Sequence, residues 1–213
     1  MLVGLMFCLF GACCDDPYSK NVVLEVPVST EAANLDSIRV GDSIIYRIDM
    51  PKEVALYESD QKVRLDNFKF GLEFTLTEIS DTTERWGNDA EINASVGHLD
   101  TLGLSGGLIT YPISLEETEE TYRLVLKLIV QEPGLYVTAI NADPVAFRSQ
   151  NHPFLETCAD KERRDVRVQI INNVTSEYQF ENFYRMTPIV YLQELVDYDR
   201  YASGGSHTFI VTE

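Results

Sequence analysis

Thr121-Tyr122-Arg123-Leu124-Val125-Leu126-Lys127-Leu128-Ile129-Val130, followed by Gln131-Glu132-Pro133-Gly134 and then Leu135-Tyr136-Val137-Thr138-Ala139-Ile140, decides the fold of this chain. Two apolar, β-branched segments flank a Pro-Gly pair, which breaks a strand and turns the chain. The same period-two pattern extends outward in both directions. Val22–Val28 reads as a first strand. Ser37–Met50 holds a turn at Gly41-Asp42 and then Ile44, Tyr46 and Ile48 in alternation. Leu65–Ile79 places Phe68, Phe70, Leu72, Phe74 and Leu76 on one face, and Leu108–Leu115, Asp165–Ile171 and His207–Val211 complete the strand set. Polar residues between the apolar ones imply strands wet on one side, as in an antiparallel sandwich. Residues 80–106, with Trp86-Gly87-Asn88-Asp89 and further glycines at 97, 103 and 106, read as loop. Thr187-Pro188 is a helix start, Thr as cap and Pro at the first position, with Ile189, Leu192, Leu195 and Val196 as its apolar stripe.

A strand, a Pro-Gly turn and a second strand opening with Tyr136 resemble the tyrosine corner of immunoglobulin-like sandwiches, over roughly residues 22–141. The resemblance implies that the phenol bonds back to the backbone and locks the turn between sheets. The expected class is mainly β: an immunoglobulin-like antiparallel β-sandwich with a mixed α/β elaboration before the last strand. Residues 22–213 form one sandwich domain in this reading, with the elaboration at 142–206. A separate small α+β domain over that span is the alternative.

The first residues carry an address. Met1 to Ala12 is an uncharged, largely apolar run, the length of a signal-peptide core and too short to span a bilayer as a helix. Phe10-Gly11-Ala12-Cys13 resembles a bacterial lipobox, which implies a signal peptide over 1–12, acylation at Cys13 (palmitate among the chains) and a tether over 13–21. Cys14 is the alternative lipid site. Asp15-Asp16 after the cysteines resembles the export signal of Bacteroidota surface lipoproteins; in other bacteria, such acids resemble an inner-membrane retention mark. The tripeptides Asp36-Ser37-Ile38, Asp42-Ser43-Ile44, Asp81-Thr82-Thr83 and Asp100-Thr101-Leu102 resemble the O-glycosylation motif of the same bacteria, at Ser37, Ser43, Thr82 and Thr101. Ordinary turn chemistry explains the same residues equally well. Taken together, the chain resembles Bacteroidota lipoproteins that carry an immunoglobulin-like sandwich, which implies an outer-membrane, lipid-held protein facing the exterior.

Charge narrows the partners. With 34 acidic against 17 basic residues the net charge is −17, which repels phosphate backbones and argues against nucleic acid. Contact with a membrane is therefore expected through the N-terminal lipid alone. Four cysteines, two of them at the lipobox, do not make a disulfide scaffold. Cys158 reads as a small half-buried residue.

No residue set carries a reaction, so the chain reads as non-catalytic, without metal or cofactor. Gly103-Leu104-Ser105-Gly106-Gly107 matches the nucleophile-elbow pattern, but the elbow requires a strand-to-helix turn in a parallel sheet. His98, His152 and His207 lack ligand spacing. Aromatics give the positive hint: Trp86 in a polar loop, and Tyr178 and Tyr184 within Tyr178-Gln179-Phe180-Glu181-Asn182-Phe183-Tyr184. Such rings stack on sugars or anchor proteins, or alternate members of the run fill the core. The leading expectation is a surface binding protein for a glycan or envelope protein. The runner-up is a fimbrial or adhesin anchor that exchanges or accepts a strand.

Overall fold

Alternation along the chain resolves into two packed sheets in the computed structural model, which describes residues 21–55, 62–79, 84–86, 90–100, 103–105, 108–142, 165–187 and 196–213. One sheet contains β1 (Asn21–Glu31), β3 (Ser43–Pro51), β8 (Ala90–Val96), β12 (Glu116–Glu117), β13 (Thr121–Val130) and β15 (Asp165–Asn172). Its order is β12-β13-β3-β1-β15, with β8 also paired to β13. The other contains β2 (Ser37–Arg39), β6 (Leu72–Ile79), β7 (Glu84–Trp86), β9 (His98–Leu99), β10 (Gly103–Ser105), β11 (Leu108–Ser114), β14 (Gly134–Ala142) and β16 (His207–Thr212). Its order is β10-β11-β6-β14-β16-β2, with β7 on β6 and β9 on β11. A small hairpin of β4 (Glu53–Ala55) and β5 (Lys62–Arg64) stands apart. Pairing is antiparallel except for β1 with β15 and β16 with β2.

Burial follows the sequence period. Leu124, Leu126, Leu128 and Val130 of β13 are buried, as are Ile44, Tyr46, Ile48 and Met50 of β3 and Leu72, Phe74 and Leu76 of β6. Burying each such side chain contributes roughly 1.5–3 kcal/mol. The sheets meet where Tyr46 packs edge-on against Phe74, with ring centroids 5.5 Å apart, and bonds Thr138 Oγ1 at 2.7 Å. The expected corner is present: Tyr136 donates its hydroxyl to the Glu132 carbonyl at 3.2 Å.

Gly41-Asp42 is a turn, but it joins different sheets. Asp42 Oδ2 accepts from the Arg39 N–H at 3.1 Å, and the Asp42 N–H donates to the Arg39 carbonyl at 2.9 Å. β2 therefore feeds one sheet and β3 the other.

Two expectations need correction. Leu65–Ile79 is a strand only from Leu72. Leu65, Phe68 and Phe70 are buried as expected, but Asn67 adopts a left-handed backbone (φ 55°) that breaks the extended run. The region 80–106 is not simply loop, since β7, β8, β9 and β10 lie within it. β8 alternates Ala90, Ile92, Ala94 and Val96 with polar residues, and its short apolar side chains gave a weak period-two signal. Thr187 closes the helix over Glu177–Met186, its N–H and hydroxyl both donating to the Phe183 carbonyl at 2.9 and 2.6 Å, while the helix expected from Pro188 onward lies outside the described residues. Pro188 forces the preceding residue out of the helical region, as Thr187 shows with φ −72° and ψ 113°. The expected stripe Ile189, Leu192 and Leu195 lies outside the described residues.

The segment after β14 crosses to the first sheet, adds β15 beside β1, forms helices α1 (Glu177–Met186) and α2 (Tyr198–Ser203), and returns as β16 beside β14. Gly204 sits at the seam. It bridges Ile170 of β15, and its carbonyl accepts from the Ile140 N–H of β14 at 2.9 Å.

Candidate functional site

Helix α1 gathers the aromatic residues singled out above. Ser176 caps it, accepting from the Gln179 N–H at 3.2 Å, and Glu177 lies in the first turn. Gln179 and Phe183, four residues apart, form the buried stripe. Gln179 accepts from the Thr208 N–H at 3.3 Å and donates to Asp36 Oδ1, which pins the helix to β16 and to the β1–β2 connection. Phe183 and Tyr201 pack over Ile79, with Leu135 and Val137 beside them, on the outer face of the second sheet. Because the stripe runs i, i+4, the run does not alternate its members into the core. Tyr178 and Tyr184 face solvent at 59% and 47% exposure.

Behind them, Phe180 is the hub of an aromatic cluster. Its ring lies 5.5 Å from Tyr201, 5.8 Å from Tyr198, and 6.3 Å from both Phe183 and Tyr184. Tyr201 bonds Thr208 Oγ1 at 2.8 Å, and burial pushes its phenol pKa up to about 12. A depression of about 420 Å³ is lined by Phe180, Glu181, Tyr184 and Arg185. Arg185 Nη2 donates to Asn182 Oδ1 at 3.1 Å. The sequence reading missed Phe180, Glu181, Arg185, Tyr198 and Tyr201. The signal was available in Ser176-x-x-Gln179, a capping box that starts a helix at Glu177.

Other candidates fall elsewhere. Trp86 ends β7, with its backbone in register opposite Thr77. Ser37 lies on β2 beside Ile210, and Ser43 opens β3 opposite Ile129. Cys13, Cys14, Thr82, Thr101, His152 and Cys158 lie outside the described residues. Gly103-Leu104-Ser105 is the first arm of an antiparallel hairpin, Gly103 opposite Thr110 and Ser105 opposite Leu108, which is not the strand-to-helix setting of an elbow. His98 pairs with Asp100 at 3.2 Å on the surface.

Two buried polar centres complete the interior. Lys52 is nearly enclosed, paired with Glu117 and, at 3.1 Å, with Asp66. The Glu117 hydrogen bond is the main cause holding its ammonium above its ordinary pKa, and the Lys52 bond likewise lowers Asp66. Burial pulls the Glu117 carboxyl up, yet the Asn67 N–H and Lys52 bring it below its ordinary value.

His207, fully buried, has Nε2 2.7 Å from the Leu35 carbonyl and Nδ1 3.2 Å from the Tyr46 hydroxyl. Donation from Nε2 to Leu35 leaves Nδ1 to accept from Tyr46. Burial lowers the imidazole pKa, partly offset by the Leu35 carbonyl and Asp36. The unfolded chain therefore binds a proton near the ordinary value of about 6.5 that the fold resists. Stability is expected to fall as pH drops below about 6.5, beyond what the carboxylates explain. Urea midpoints at pH 7.5 and 5.5 should differ less in His207→Gln than in the wild type; equal differences would refute a neutral, buried imidazole.

The architecture is that of an immunoglobulin-like β-sandwich with a mixed α/β elaboration. No family model matches the sequence, and no curated protein matches it at a significant level. Among solved structures, the chain is similar to a non-cellulosomal cohesin from the hyperthermophilic archaeon Archaeoglobus fulgidus, at 9% identity over 89% of this chain and 93% of that one, with a TM-score of 0.28. It is also similar to the type II cohesin dyad from the adaptor ScaA scaffoldin of Acetivibrio cellulolyticus, at 9% identity, 69% of this chain and 46% of that one, with a TM-score of 0.30. Likenesses this remote carry no argument about function.

Proposed function

We propose that this chain is a lipid-anchored, non-catalytic binding protein, held at the bacterial outer membrane and facing the exterior, where it engages a glycan or another envelope protein. The observation that carries the reading is the lipobox-like Phe10-Gly11-Ala12-Cys13, with only residues 14–20 between it and β1. Acylation at Cys13 would hold the sandwich close to the bilayer, each buried methylene contributing about 0.8 kcal/mol. The exposed rings of α1 supply a surface for a ligand.

Strand exchange, the alternative, finds less support. β1 lies between β3 and β15, and β16 between β14 and β2, so releasing either terminal strand breaks two ladders.

Metabolic labelling with a palmitate analogue tests the anchor. Cys13→Ala is expected to abolish labelling and move the protein from the membrane to the soluble fraction, whereas Cys14→Ala keeps the label. A wild-type protein that takes up no label would sink the anchored reading.

A further inference from the structure

We infer that the ledge formed by Phe180, Glu181, Tyr184 and Arg185 on α1, with the exposed Tyr178 on the same helix, binds an uncharged oligosaccharide, an assignment that rests on the surface-binding function proposed above. Three observations lead there.

The first is preorganisation. The Tyr184 ring lies against Phe180, which is itself fixed by Phe183, Tyr198 and Tyr201, and Gln179 pins the helix beneath from both ends of its amide. Rings already in place lose little freedom when a flat ligand stacks on them.

The second is charge. The depression carries one carboxylate, Glu181, and one guanidinium, Arg185, and is therefore formally neutral on a chain of net charge −17. The surrounding negative field opposes an anionic ligand, and within the depression Glu181 and Arg185 offset each other. The Glu181 carboxylate accepts, and the Arg185 N–H groups beyond those given to Asn182 and the Glu181 carbonyl donate, which suits neighbouring hydroxyl groups, while Phe180 and Tyr184 offer apolar faces to the C–H side of a sugar ring.

The third is size. Ten residues of helix are roughly 15 Å long, a face far smaller than the ~800 Å² per partner of a stable protein interface. A depression of about 420 Å³ falls within the range of small-ligand sites.

The ledge also faces the useful way. α1 packs over Ile79 and Leu135, at the end of the sandwich where β13 passes into β14. The chain enters at Asn21, at the opposite end, where β3 finishes at Pro51 and β13 begins at Thr121. A tether at Asn21 places the ledge away from the bilayer.

The experiment uses the full-length protein in detergent micelles, applied to an array of neutral and anionic glycans, with hits titrated by calorimetry. Binding to neutral glycans is expected. It should weaken at least tenfold in Tyr184→Ala and in Tyr178→Ala, and survive in Tyr184→Phe, with the thermal midpoint of Tyr178→Ala unchanged as the folding control. Failure to bind any neutral glycan, binding confined to anionic ones, or affinity indifferent to both alanine substitutions would overturn the ledge. Palmitate labelling of the same preparation separates the two claims. A lipidated protein without glycan affinity removes the ledge and leaves surface display, and an unlipidated protein that binds neutral glycans does the reverse.

Discussion

Phe209→Ala is expected to lower the unfolding free energy by about 3–5 kcal/mol, the largest loss from a single truncation here. Phe209 is fully buried in β16 and stacks on Tyr136 with centroids 5.8 Å apart and planes 17° from parallel. The His207 ring lies 5.1 Å from it. The cost depends on whether the surroundings can collapse into the vacated space. They are poorly able to: β16 is hydrogen-bonded to β14 on one edge and β2 on the other, and Tyr136 is held by its bond to Glu132. Urea unfolding measures the loss. A value below about 1 kcal/mol would place Phe209 outside the packed core.

Gly205→Ala comes next, at about 2–4 kcal/mol, from two additive causes. The backbone at Gly205 is left-handed, φ 54°, which costs an L-residue about 1–2 kcal/mol. A Cβ there would also stand 2.5 Å from Ile170 Cγ2, on a β-branched side chain that cannot swing away. The seam would have to open between Gly204 and Ile170, straining the bond from Asn172 Nδ2 to the Gly205 carbonyl at 2.9 Å. Gly41 is the internal control. It is left-handed too, at φ 85°, but a Cβ there meets nothing within 4 Å, so Gly41→Ala should show the backbone cost alone. Equal losses at the two positions would refute the steric half of this account.

What the sequence disclosed depended on how strongly each segment repeated its period. β13 and β14 were legible because Leu and Val alternate cleanly and Pro133-Gly134 marks the turn between them; the Tyr136 bond followed from the same stretch. β8 was obscured because alanines occupy half of its inward positions, leaving little contrast with the polar residues between them. That β2 and β3 enter different sheets is a long-range fact, settled by the pairing of β2 with β16 and of β3 with β13, and no local pattern encodes it.

At the candidate site the residue types drew notice but the period was misread. Four aromatics in seven residues suggested alternation, whereas the Ser176 cap and the Gln179–Phe183 spacing set a helix. The partners Tyr198 and Tyr201 come from a second helix beyond a stretch of chain, so sequence proximity could not reveal them. The N-terminal address is the reverse case. The proposal of an anchor rests wholly on residues 1–16, and the folded domain adds only that β1 begins at Asn21.

That junction gives β1 a mechanical character. β1 pairs with β15 over Asn21–Val28 and with β3 over Val28–Glu31, and it starts at the end of the sandwich away from α1. A pull arriving through the residues before Asn21 and resisted at α1 runs parallel to the strand. The hydrogen bonds of both ladders lie across that direction. They are sheared together instead of being unzipped one after another, so the domain meets tension along the axis in which a sheet yields least readily.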